Sequence, residues 1–350
     1  ILEWLGKPVV VLLNQMGPPR PGNEEHSEQA RWREHLQQYP IVRDVLALDA
    51  FARCWVHERV FYEAVGKLLP QSQQAGYARL FATWQTQNTA RFQQAMHLLA
   101  TQLAVAGQDS EAIEPVSKGL LKSALQVVGI GKNEEQQRQE RAMGNLVARL
   151  NTRSGETTRE LLILHKLDPT DAHKINARVR ENFAVRAPID KAQAGLLGAM
   201  ISGAATGLSA DLISGGLTLG TGALLGGVVG ALTFAGAAWG FNSGTDRNEP
   251  TMQFTDAFLR TLVVAGVLRY LAVAHFGRGR GNFVESEAPA FWQDEVEQAV
   301  ARHDAALLEL WKEVRREKSP EQAAERVLPV MSSITSDTLA RLYPDVARLV

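Results

Sequence analysis

Pro8-Val9-Val10-Val11-Leu12-Leu13-Asn14 is an unbroken β-branched and leucine run that stops hard at Gln15-Met16-Gly17-Pro18-Pro19. A run with no polar alternation suits a strand covered on both faces, as in a parallel α/β sheet. It puts Asn14 at the strand's carboxyl end, the edge where open parallel sheets hold ligands. Working outward, the polar stretch 23–39 predicts a helix with Asn23 as N-cap and Glu24 and Glu25 in the first turn. Val45-Leu46-Ala47-Leu48 predicts a second strand, ending at Asp49-Ala50-Phe51. Trp55, Phe61, Val65 and Leu68 then recur at helical spacing. Strand, helix, strand, helix is a parallel βα pattern.

Asn14-Gln15-Met16-Gly17 resembles the base-recognition motif of Era-like GTPases, Asn-Lys-x-Asp, which follows an apolar strand in the same way. Asp49-Ala50-Phe51 resembles the next motif of that family, Ser-Ala-x, whose backbone N–H meets the guanine oxygen. The stretch LALDAFARCWVHE, Leu46 to Glu58, and later segments also look like bacterial Era-like GTPases of the TRAFAC class that carry a large C-terminal domain of unknown function. The resemblance implies that Asn14, Gln15, Asp49 and Ala50 line a nucleotide-base site. Two departures weaken guanine preference: Gln15 stands where the lysine should flank the base, and Gly17 replaces the aspartate that reads guanine's N1–H and amino group. Losing a designed hydrogen-bond partner can cost several powers of ten in selectivity.

Phosphate chemistry needs a glycine-rich loop, a lysine and a Ser or Thr for magnesium. The nearest approach is Gly129-Ile130-Gly131-Lys132-Asn133, with Gln126 where the first glycine belongs and Asn133 where the hydroxyl belongs. It reads as a glycine turn ending a helix over 119–128. The eight histidines include no His-x-x-x-His pair for zinc, and no serine sits in a Gly-x-Ser-x-Gly elbow. The expectation is therefore no catalytic residue, no metal site and no cofactor in this chain. GTP and Mg belong, by the resemblance, to a parent protein whose phosphate-binding half precedes these residues. The start at Ile1, with no charged n-region before the first strand, reads as truncated or processed rather than as a signal peptide.

A balance of 37 Lys and Arg against 38 Asp and Glu gives no basic face for nucleic acid. The single cysteine, Cys54, excludes an internal disulfide, fits a reducing compartment and reads as a small packed hydrophobe. From Tyr77, the residues Leu80, Phe81, Trp84, Phe92, Met96, Leu99 and Leu103 trace one face of a long amphipathic helix. Separate helices are predicted over 132–150, with a Leu146/Val147/Leu150 edge, over 157–167, and over 170–185 with Thr170 or Asp171 as cap.

Between Lys191 and Asp246 the one charged residue is Asp211. Stretches 192–210 and 217–241 are each long enough to cross a hydrocarbon core at about 1.5 Å of rise per residue. Gly222, Gly226 and Gly230 form a four-residue repeat, extended by Gly216/Gly220 and Gly236/Gly240, with Gly203/Gly207 in the first half. Each interior glycine costs a helix about 1 kcal/mol relative to alanine in water. Small-x-x-x-small ridges compensate by letting helix backbones approach closely. The segment reads as a helical hairpin that meets lipid, with Arg180, Arg186, Lys191 and Arg247 holding its ends on the cytoplasmic side. A mean hydropathy of −0.14 keeps open a hairpin buried within protein.

The stretch 257–276 is apolar but carries Arg260 and Arg269, and reads as an amphipathic helix beside the hairpin or at the interface. Arg278 and Arg280, in Gly277-Arg278-Gly279-Arg280-Gly281, are candidate anion contacts within a basic loop. From Trp292 onward, Leu307, Leu308, Leu310, Val314, Val327, Val330 and Met331 predict two or three helices packing back on the middle region.

The expected architecture is mainly α. A truncated, GTPase-like α/β edge (1–70) precedes a helical region (71–190), a glycine-rich hydrophobic hairpin (191–247) and a C-terminal helical region (248–350). The expected function is coupling of nucleotide binding to membrane association or remodelling, at the cytoplasmic face of the inner membrane, peripherally or integrally. Its partners are lipid and, through the glycine ridge, a second copy. The alternative is a non-enzymatic helical module that uses the ridge for self-association or partner docking.

Overall fold

A computed structural model of the chain describes residues 4, 6–14, 23–48, 54–112, 130–172, 175, 239–242, 251–275 and 290–343. Within them the protein is mainly helical, with five short strands. Strand β1 (Val9–Leu13), helix α1 (Asn23–Leu36), strand β2 (Val42–Ala47) and helix α2 (Trp55–Leu68) follow in the predicted order. β1 and β2 pair in parallel, with Leu12 opposite Leu46 and Leu13 opposite Ala47. Cys54 is fully buried at the N-cap of α2, as a packed hydrophobe should be.

The body is built on α3 (Gln71–Gln108), α4 (Ile130–Leu164), α5 (Asp256–His275), α6 (Ala290–Ala301), α7 (Asp304–Val314) and α8 (Pro320–Leu342). The stripe Phe92, Met96, Leu99 and Leu103 is buried as its spacing predicts. Leu80 corrects the expectation: it is 57% exposed, because the first turns of α3 run beyond the helices that cover the rest. At the other end the packing is close. A Cβ added to Gly107 would stand 2.8 Å from Val314 Cγ1 on α7.

α4 corrects the reading of separate helices over 132–150 and 157–167. Asn151 through Glu156 continue the helix, since Thr157 and Thr158 are buried and the Thr158 hydroxyl donates to the Ser154 carbonyl. Gly131 to Asn133 lie in its first turn rather than in a turn that ends a helix. The helix closes without glycine. Lys166 takes φ of 60° while Leu167 N–H bonds Leu162 O and Lys166 N–H bonds Ile163 O, a Schellman ending. Asp168 then caps a short 3-10 turn, Pro169–Asp171, by accepting from Thr170 N–H, and most of the helix expected over 170–185 lies outside the described residues.

α5 is the centre of the body. Every residue from Leu262 to His275 is buried, and α3, α4, α6, α7 and α8 all pack on it. The helix expected to be amphipathic, beside the hairpin or at the interface, is thus a core helix, apolar on all sides because protein surrounds it, and the hairpin itself lies outside the described residues. Among the described residues α5 is the one helix long and apolar enough to cross a membrane, and 83% of that window is buried within the protein. The tail, expected to form two or three helices, forms three among the described residues, although Leu308 is half exposed.

A small sheet ties these helices together. β3 (Ser110–Ala112) and β4 (Trp239–Asn242) flank β5 (Thr251–Phe254), both antiparallel to it. β3 follows directly from α3, and β5 leads into α5. Residues 239–241, expected to end the second hairpin helix, lie instead in β4, with Gly240 opposite Gln253.

Candidate functional site

The first candidate site is the carboxyl edge of β1 and β2. Their ends are level, because Leu48 N–H donates to Leu13 O at 3.0 Å one residue beyond the ladder. Asn14 therefore leaves β1, exposed, beside the point where the chain leaves β2 for Asp49 and Ala50. The outer edge of β2 is closed by α1. Gln29 Nε2 and Arg33 Nη2 donate to Val45 O at 2.7 and 3.1 Å, and Arg33 also reaches Asp44 Oδ1. β1 is less covered: Leu12 remains 43% exposed in a strand whose composition suits burial on both faces.

The edge is wired to the core. Trp55, the first residue of α2, donates from Nε1 to the Tyr270 hydroxyl on α5 at 3.3 Å. Tyr270 stands edge-on to Phe92 at 5.7 Å. At the end of α5, His275 is fully buried between two partners. Its Nδ1 faces Leu271 O at 2.7 Å, which can only accept, so Nε2 accepts from the Tyr343 hydroxyl at 2.6 Å.

Of the other expected site residues, Gln15, Asp49, Ala50, Gly203, Gly207, Gly216, Gly220, Gly222, Gly226, Gly230, Gly236, Arg278 and Arg280 lie outside the described residues. Gly240 belongs to β4 and so to a strand edge, not a helix ridge. Among the described residues, no group of three or more His, Cys, Asp or Glu side chains is arranged to hold a metal.

The structure also assembles a polar chain that the sequence reading missed. Arg269 Nη1 donates to Gln102 Oε1 at 2.9 Å, and Gln102 Nε2 donates to Ser154 Oγ at 2.6 Å. These residues come from α5, α3 and α4, and none is more than 4% exposed. Among the described residues no carboxylate reaches the guanidinium, whose Nε has no partner. Burial pushes the Arg269 pKa down to about 10, so the group still carries its charge at neutral pH. The one available signal was a pair of arginines, Arg260 and Arg269, inside an apolar run, and on an isolated helix they read as a polar face.

Gln102 also lines a cleft of about 570 Å³ between α3, α4 and the start of α8. Arg149 stands at its rim, held by both oxygens of Asp109 at 3.0 and 2.8 Å and by Glu111 Oε2 at 2.7 Å. The Asn145 amide, and then Arg149, hold the Glu111 carboxyl below its ordinary range. This cluster fixes β3 against α4.

Removing the hydrogen-bond partner of a buried charged group costs more than replacing both by apolar groups. Gln102→Leu alone strands the Arg269 guanidinium and should lower unfolding free energy in urea by about 1.5–3 kcal/mol. The double variant Gln102→Leu/Arg269→Met should recover most of that loss in the same measurement.

No curated protein and no solved structure matches the chain. A family model matches residues 33–330, from the last turn of α1 into α8, with β1 and Asn14 ahead of the matched span. Since that span takes in most of the 350 residues, the chain belongs to the family described as Domain of unknown function (DUF3482).

Proposed function

We propose that this chain is the C-terminal part of a GTPase-like protein that couples nucleotide binding to membrane association or remodelling. The observation that carries the reading is the parallel β1–β2 pair with level carboxyl ends, which brings Asn14 beside the exit of β2. A nucleotide base held at such an edge is the usual use of an open parallel sheet. The half-exposed Leu12 supports it, because β1 has apolar surface on a sheet face that a further packed layer would cover. In this reading the phosphate-binding loop, with GTP and Mg, lies outside these residues, and the chain alone hydrolyses nothing.

Membrane contact falls to the apolar segment 192–238. The described residues on its two sides support a return excursion: the 3-10 turn packs on α4, and β4 pairs with β5. Both flanks therefore lie on one body, which this reading assigns to the cytoplasmic face of the inner membrane. The Trp55–Tyr270 hydrogen bond offers the route from base site to core helix.

Two measurements test the halves separately. In the protein extended to include a phosphate-binding half, Asn14→Ala should weaken guanine-nucleotide binding at least tenfold, as a lost base hydrogen bond of about 1.4 kcal/mol requires; fluorescence titration with a labelled nucleotide reads this, and unchanged affinity removes the base site. The present chain should float with anionic vesicles on a density gradient, and a variant lacking 192–236 should not. That variant keeps β4 intact. If both forms stay at the bottom, the segment packs against protein, and a stable oligomer in sedimentation then favours the assembly module.

A further inference from the structure

Among the described residues, Arg269 is a cation in the middle of the core with no anion beside it. Within them its hydrogen bond goes to a neutral amide oxygen, and its Nε has no partner. Burying a charge without a counter-charge is among the costliest arrangements a core can hold. A methionine or leucine would fill the same volume without that cost. The surroundings of Arg269 indicate where a counter-charge can enter.

Gln102, which accepts from the guanidinium, is also one of the residues that line the cleft. Its orientation is fixed, since Oε1 must face the Arg269 donor and Nε2 the Ser154 hydroxyl. A primary amide nitrogen carries two hydrogens, and Ser154 takes only one. Gln102 is 4% exposed, and the surface it retains lines the cleft. A cation drawing on Oε1 polarises the amide and strengthens its remaining N–H as a donor. The rim adds no net positive charge: Arg149 and Arg153 are met by Asp109, Glu111 and Glu156. Among the described residues, the uncompensated cation near the cleft is therefore Arg269. Val105, Ala106, Leu150 and Pro320 line the cleft with apolar surface. Its volume of about 570 Å³ falls within the ordinary range for small-ligand sites.

We propose that the cleft between α3, α4 and α8 binds an oxyanion attached to an apolar group, received by the Gln102 N–H and balanced by the Arg269 charge behind it. Phosphate monoesters and lipid headgroups share that chemistry. The site is separate from the β1–β2 edge, and it stands or falls independently of the nucleotide reading.

The test is isothermal titration of the full chain with inorganic phosphate and with octyl phosphate below its micelle concentration, in chloride buffer of matched ionic strength. The expected result is saturable binding of both, with octyl phosphate at least tenfold tighter because its chain uses the apolar wall. Equal affinity assigns the site to a free inorganic anion and removes the apolar part of the proposal. Arg269→Met should weaken binding more than tenfold. Gln102→Glu serves if that variant does not fold: it supplies the missing carboxylate internally, so it should raise the melting temperature and abolish binding. Arg302→Gln, a surface change just beyond the end of α6, should bind like the parent. Absence of binding to the parent chain overturns the proposal. So does undiminished binding in Arg269→Met, or in Gln102→Glu, since both variants remove the uncompensated charge.

Discussion

A helix with no polar face must be surrounded, and α5 is such a helix. Fourteen consecutive residues, Leu262 to His275, are buried, so neighbours have to cover its whole circumference. Each fully buried Val, Leu or Phe side chain contributes about 1.5–3 kcal/mol relative to exposure. That sum brings α3, α4, α6, α7 and α8 onto one element. Close approach is needed on more than one side. Gly266 meets Met331 of α8 and Leu99 of α3, where an added Cβ would lie 3.4 and 3.6 Å from their side chains. The β3–β5–β4 sheet sits at the N-terminal end of α5 and the His275–Tyr343 hydrogen bond at its C-terminal end. The helix thus organises the body along its full length.

Two arginines on α5 meet opposite fates, and the contrast follows from position. Arg260 lies near the start, where the helix reaches the surface, and pairs with Asp304 at 2.6 Å. That pair is a third or more exposed on each side, so solvent screens it and it adds little to stability. Arg269 lies nine residues further, inside the ring of helices, with only the Gln102 amide for a partner among the described residues. A group that opposes folding persists in a core when something else depends on it. Stability alone does not account for Arg269.

Much of the fold was legible in the sequence, and the failures have physical causes. Pro8 to Asn14 and Val45 to Leu48 announced β1 and β2 because β-branched runs seldom serve anything else. The Phe92-to-Leu103 stripe gave the buried face of α3. The short strands β3, β4 and β5 escaped because three or four residues such as Ser110-Glu111-Ala112 hold too little alternation to register. α4 looked divided because Ser154 and Gly155 resemble a break, yet Ser154 is buried and bonded to Gln102. α5 was visible as an apolar run, but a run does not say whether lipid or protein surrounds it. The polar chain Arg269–Gln102–Ser154 joins residues up to 167 apart in sequence, a proximity no local pattern records. For the base site, Asn14 alone of the expected residues falls within the described ones, at the strand end where its run put it.

The central claim is that α5 is the protein's own core helix, whatever the glycine-rich segment does. Amide hydrogen exchange resolved along the chain, with and without anionic vesicles, tests it most directly. The account predicts that the amides of Leu262–His275 are among the slowest in the molecule, exchange only on global unfolding, and keep the same protection when vesicles are added. Rapid exchange of α5 in water, or protection that appears only with lipid, contradicts it.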